Sequence, residues 1–162
     1  MDRVIHPFPP VYNEKSKILI LGSFPSVKSR EAEFYYHNPQ NRFWTVISAV
    51  YKEPIPITIE EKKEMLLRNG VAVWDVVKSC EISGSADNTI RNVVPNDLEE
   101  ILSIANIKRI VANGSTSYQL YKKYIFPKLG RDIIKLPSTS PANAVCNIDA
   151  LLEDWSYISK IT

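Results

Sequence analysis

Apolar positions along the chain fall into short unbroken runs, separated by polar turns rich in proline, glycine and asparagine. Lys17-Ile18-Leu19-Ile20-Leu21 lacks the alternation of a half-exposed strand, as do Val71-Ala72-Val73-Trp74-Asp75-Val76-Val77, Lys108-Arg109-Ile110-Val111-Ala112 and Ile133-Ile134-Lys135-Leu136. Such runs predict strands buried on both faces of a parallel sheet. Between them the period lengthens. Phe43, Val46, Ile47 and Val50 share one helical face within 39–52. Thr58 and Glu61 form a capping-box pattern before a helix through Met65 and Leu66, and Asn69-Gly70 stops it. Asn96 is expected to cap a helix over Leu98, Ile101, Leu102 and Ala105. Asn113-Gly114-Ser115 turns the third strand into a helix holding Leu120 and Tyr121, and a last helix carries Leu151, Leu152, Trp155 and Ile158. Strands alternating with helices predict an α/β fold, a three-layer αβα sandwich around a central four-stranded parallel sheet.

Two stretches stand outside this pattern. Residues 1–16 hold Pro7, Pro9 and Pro10 around Phe8, Val11 and Tyr12, which predicts an extended arm packed on the domain rather than a helix or central strand. Residues 78–92 are polar and glycine-bearing, too irregular for an element and long enough to suggest function. At 162 residues the chain suits a single domain with a real core. Its apolar runs are too short for a membrane span, and its first residues lack the apolar core of a signal peptide, so a cytoplasmic monomer is expected. A net charge of +2 leaves any nucleic-acid contact to a local patch. Cys80 and Cys146 have no ligand spacing and read as inert thiols; with two histidines, His6 and His37, no metal and no cofactor is expected.

Open α/β sheets bind ligands beyond the carboxyl ends of their strands. There the pattern converges Phe24 to Asn41, Asp75 to Asn92, and Ser138 to Asn143, a polar and aromatic cleft. Dinucleotide and phosphate-loop glycine motifs are absent, and so is a nucleophile elbow. Tyr35 and Tyr36 suit either stacking on a flat ligand or anchoring the loop. Asp75 suits either a ligand edge that offers N–H groups or a cap in a salt bridge.

The segments GSFPS and YYHNPQNRFW resemble the first motif of the uracil-DNA glycosylase superfamily, nearest its mismatch-specific and hypoxanthine-DNA (deoxyinosine) branches. VAVWDVVKSCEISGSADNTIRNVVPNDL (71–98) and LPSTSPANA (136–144) agree in order. The resemblance implies a monofunctional glycosylase. It would hydrolyse the N-glycosidic bond of a flipped deaminated base in DNA, hypoxanthine first and uracil second. Asn41 would act in catalysis, its carbonyl oxygen orienting a water. Tyr36 would stack on the base beside Phe24 and Ser23, and Asp75 would read its edge. Better-known branches carry Asp or Asn where Phe24 stands, and one carries a catalytic histidine where Ser138 stands. Ser138 is therefore a second, weaker catalytic candidate. The loop Ser140, Pro141, Ala142 and Asn143 would grip phosphates and plug the vacated stack, with Ser26, Arg42 and Arg91 on the DNA backbone and Lys28 and Lys78 as further cations. Two other readings stay open: a non-catalytic module that binds a base or nucleic acid, and an unrelated α/β enzyme acting on a nucleotide-like ligand.

Overall fold

The computed structural model describes residues 2–162. In chain order its strands are β1 (Arg3–Ile5), β2 (Ile18–Gly22), β3 (Val71–Asp75), β4 (Val77–Glu81), β5 (Arg91–Pro95), β6 (Arg109–Asn113) and β7 (Ile133–Leu136). The helices are α1 (Val27–Ala32), α2 (Phe43–Val50), α3 (Ile59–Arg68), α4 (Glu99–Ile104), α5 (Ser115–Tyr124), α6 (Phe126–Leu129) and α7 (Ile148–Trp155). Strands β3-β2-β6-β7 form the four-stranded sheet, with every pair parallel. The predicted central strands are all present.

The missing alternation has a direct cause. Ile18 and Ile20 of β2, Val71 and Val73 of β3, and Val111 of β6 enter one core with α2, α3 and α7. Leu19, Leu21, Ala72, Ile110 and Ala112 enter the other, beneath α4, α5 and α6. Both faces of the sheet are covered, so both parities must be apolar. The Thr58–Glu61 capping box forms in both directions.

Three expectations need correction. Residues 78–92 are not an irregular loop: β4 and β5 pair antiparallel, with register shifts, and β1 adds to β4 to give a second, three-stranded sheet. The pattern was hidden because each strand is short, bulged and partly exposed, and β1 comes from the far end of the chain. Asn96 does not cap a helix. Its amide donates to the Asp75 carbonyl at 2.9 Å, locking the kink where β3 passes into β4, while Asp97 accepts from the Glu99 N–H. The loop after β2 holds a short helix, α1, whose N-cap is Ser26.

The arm does pack on the domain. Val11 and Val73 exchange backbone hydrogen bonds at 3.0 and 2.9 Å, covering the open edge of β3 against further pairing. Phe8 and Val11 are buried in the first core. Among the described residues no helix is long and apolar enough to cross a membrane, and no cluster of three metal-ligating side chains occurs.

Candidate active site

A groove of about 770 Å³ opens beyond the carboxyl end of β2, lined by Lys28, Tyr36, His37, Asn41, Trp44 and Lys62 among others. Tyr36 reaches it from a backbone with φ of 50°, the left-handed region that a bulky side chain adopts only under constraint. The constraint is visible on both sides. Phe43 stacks on the Tyr36 ring at 4.0 Å and 19°, and the Ser29 hydroxyl accepts the His37 N–H at 3.0 Å. Tyr35 is the anchor of the pair, fully buried and donating from its hydroxyl to the Pro9 carbonyl at 2.9 Å. Trp44 holds the same turn through its indole N–H on the Tyr35 carbonyl.

Asn41 stands just before α2. Its side-chain oxygen accepts from the Phe43 N–H at 2.9 Å and from the Thr139 hydroxyl at 2.8 Å. Two good donors fill the two lone pairs of a carboxamide oxygen. The oxygen expected to orient a water is thus met by two protein donors, while the NH₂ group donates to no protein atom among the described residues. Thr139 is in turn bracketed by Asn113, whose oxygen accepts the Thr139 N–H and whose nitrogen donates to the Thr139 hydroxyl, both at 3.0 Å. This chain of bonds fixes Asn41 from the ends of β6 and β7.

Arg42 organises the loop that follows β7. Its guanidinium donates to the carbonyls of Thr139, Ser140 (2.9 Å), Asn143 (3.0 Å) and Cys146, and its own N–H donates to the Thr139 carbonyl at 3.0 Å. The Trp155 indole holds the Pro137 carbonyl from below. With its base stapled, residues 141–145 project outward, and the Val145 side chain is 98% exposed.

Deeper than the groove lies a polar knot. Asp75 Oδ2 meets His6 Nε2 at 2.7 Å, with both side chains almost wholly enclosed. A Cβ on Gly22 would stand 2.4 Å from Asp75 Oδ1 and 3.0 Å from the Tyr36 hydroxyl, so only glycine lets these groups converge. That hydroxyl is buried and has no partner within hydrogen-bonding geometry among the described residues, although the Asn113 amide lies near it. Burial, and then the charge of Asp75, hold the Tyr36 phenol far above its ordinary pKa, so it stays a neutral donor. Ser23 donates to Asp87 at 3.0 Å. Asp87 is an exposed residue whose carboxyl takes that bond; desolvation raises its pKa, the Ser23 bond opposes this, and Asp75 adds to it.

Residues 9–157 match the profile of the uracil DNA glycosylase superfamily. The chain belongs to this superfamily. It is 33% identical over 138 residues to a protein of Methanosarcina barkeri named hypoxanthine DNA glycosylase, covering 84% of this chain and 86% of the relative. A Methanosarcina acetivorans protein of the same name is 32% identical over 137 residues, with the same shares covered. A solution NMR structure from M. acetivorans, provisionally named a uracil DNA glycosylase, superposes with a TM-score of 0.80 at 31% identity, covering 94% of each chain.

Within this glycosylase fold the residues singled out from the sequence separate into groups. Tyr36 and Asn41 share the groove, and Asp75 lies at the inner end of Tyr36. Arg42 is corrected from a phosphate contact to a loop staple, since four carbonyls occupy its guanidinium. Ser26 is an N-cap on Ser29 rather than a free DNA contact. Phe24 packs into the second core with the Arg30 guanidinium 5.6 Å from its ring centroid and the His6 ring 6.0 Å away. The Ser23 hydroxyl is directed to Asp87. Ser138 Oγ accepts the Ser140 N–H, and the Ser138 carbonyl accepts the Asn143 amide, so both side chains shape the loop. Ser140 Oγ accepts the Ala142 N–H, while Pro141 and Ala142 are exposed on the projecting loop. Arg91, Lys28 and Lys78 are exposed and form no salt bridge among the described residues. No role for His6, Asn113 or Thr139 could be assigned from the chain alone, because their partners lie far away along it. Lys62 was also overlooked. It lines the groove nearly buried, 5.3 Å from the centre of the Trp44 ring, and desolvation lowers its pKa.

Proposed function

We propose that this DNA glycosylase removes hypoxanthine from DNA, with uracil as its second substrate. The observation that carries the reading is the placement of Asn41. A neutral amide donor, held by Phe43 and Thr139, faces the groove beside a ring whose back is supported by Phe43. A base turned out of the duplex stacks on Tyr36, worth about 1–3 kcal/mol, and directs its N–H edge inward toward Asp75. An ionised carboxylate accepts such an N–H and donates nothing. The names of the Methanosarcina relatives support hypoxanthine as the base.

In the reaction, the bond from C1′ of the sugar to the base breaks and its electron pair leaves with the base. Water then adds hydroxide to C1′, and its other proton ends on the base. The Asn41 NH₂ donates to the departing base as negative charge builds there. One fixed donor of that kind is worth roughly 10²- to 10³-fold in rate. No acid stands at Phe24 to activate the water, so stabilising the leaving group is the larger part of this mechanism. The tip of the stapled loop, with Val145 foremost, enters the gap left in the base stack, as apolar wedges do. Lys28 and Lys62 supply the positive charge along the groove for the backbone. Incubating the protein with duplexes containing deoxyinosine or deoxyuridine, then cleaving abasic sites with alkali, tests the reading. The deoxyinosine strand should break more readily, and intact strands from both substrates would end the glycosylase proposal.

A further inference from the structure

We infer that His6, carried in by the N-terminal arm, is a positioning residue: it takes one oxygen of Asp75 so that the other is presented to the base. The inference rests on the reading of Asp75 given above and adds the group that orients it. The imidazole sits among Phe8 at 4.5 Å and Phe24 and Tyr35 at 6.0 Å, ring centre to ring centre. Its backbone is fixed by the His6 N–H on the Lys78 carbonyl at 2.8 Å, and by β1 beside β4. The Phe8 N–H points at Nδ1 from 3.5 Å, so Nδ1 is the accepting nitrogen and the ring proton lies on Nε2, facing Asp75 Oδ2 at 2.7 Å.

The result is an asymmetric carboxylate. Oδ2 is held by a buried donor, while Oδ1 lies close against bare Gly22, near the buried Tyr36 hydroxyl, which has no partner among the described residues. Oδ1 accepts no side-chain hydrogen bond among the described residues and is the oxygen left for a base N–H. A purine edge that offers an N–H, as hypoxanthine does at N1, complements that oxygen. A carboxylate free to rotate would present its oxygens in either arrangement, and a buried one without a donor would be costly to keep ionised. The arm thus belongs to the recognition machinery as well as to the fold.

The experiment compares single-turnover base release from deoxyinosine duplexes by the wild type, His6→Phe, His6→Gln, Asp75→Asn and the His6→Phe/Asp75→Asn double variant, with thermal melts alongside. His6→Phe should lose roughly 10- to 100-fold in rate, the worth of one charge-assisted hydrogen bond. His6→Gln, which keeps an N–H donor, should recover much of that loss. In the Asp75→Asn background the Phe substitution should cost nothing further, since the two residues act as one unit. Nitrogen-15 shifts of the wild-type imidazole should show Nε2 protonated and Nδ1 bare. A folded His6→Phe variant at the wild-type rate overturns the inference, as does an equal further loss in the Asp75→Asn background. Asp75→Asn at the wild-type rate removes the base-reading role and the inference with it, whereas a wild-type protein that releases no hypoxanthine refutes the choice of substrate first.

Discussion

Replacing Arg42 separates two accounts of the same positive charge. As a phosphate contact it would act through its charge; as the structure places it, it acts through the shape of its fork, which reaches carbonyls of four residues between Thr139 and Cys146. A hydrogen bond to a charged group contributes about 1.5–3 kcal/mol when its partner is buried. The loop is open to water on its outer side, which recovers part of that, so Arg42→Ala should cost about 2–4 kcal/mol in total. For a domain of this size the melting temperature should fall by roughly 5–12 °C. Lysine keeps the charge but has no planar fork to span four acceptors, so Arg42→Lys should be nearly as destabilised as the alanine variant. DNA affinity measured by fluorescence anisotropy from low to moderate salt completes the test. Each neutralised phosphate contributes about 0.9 to the slope of log affinity against log salt. The staple account predicts weaker binding with that slope unchanged in both variants. A lysine variant with normal melting and affinity, together with an alanine variant whose slope drops by about one, would refute it.

Other consequences can be checked separately. Val145→Ser should slow base release from duplex DNA about tenfold or more while sparing single-stranded substrate, because only a duplex has a stack to fill; equal effects on both would exclude the wedge. Gly22→Ala puts a methyl group 2.4 Å from Asp75 Oδ1, so it should abolish most activity even in a variant that folds; rates near wild type would show that the convergence at Gly22 is dispensable. Asp87 has its folded pKa raised, chiefly by desolvation, so it binds protons more tightly folded than unfolded. Stability should therefore decline as pH rises from the unfolded value toward the folded one, and stay lowered above it. Asp87→Asn, which still accepts from Ser23, should flatten that decline in melts between about pH 3.5 and 7; a profile identical to wild type would contradict the assignment.

The parts of the molecule that could be read in advance are those decided by neighbours in sequence. A strand buried on both faces must be apolar throughout, and β2, β3, β6 and β7 are so. A capping box needs only Thr58 and Glu61, which are three residues apart. That Asn41 and Tyr36 would line one groove could be anticipated because one motif carries both. What escaped depends on distant partners. Arg42 looks like any surface cation until the carbonyls about a hundred residues later are placed around it. His6 lies 69 residues before Asp75 in a proline-rich arm that gives no hint of a buried hydrogen bond to a carboxylate. The Asn41 oxygen looked free because neither the Phe43 N–H nor the Thr139 hydroxyl could be located without the ends of α2 and β7. Strands β4 and β5 were missed because bulges erase their alternation, and their third partner precedes them by more than seventy residues.

The donor role of Asn41 is tested most directly by Asn41→Asp in single-turnover release of hypoxanthine, measured beside the wild type and Asn41→Ala. Aspartate keeps an oxygen for the Phe43 N–H and the Thr139 hydroxyl but replaces the NH₂ with an acceptor. If the donor carries the chemistry, the aspartate variant falls with the alanine variant, roughly 10²- to 10³-fold below wild type. An aspartate variant that works as fast as wild type, or faster, would show that the residue serves the water rather than the departing base.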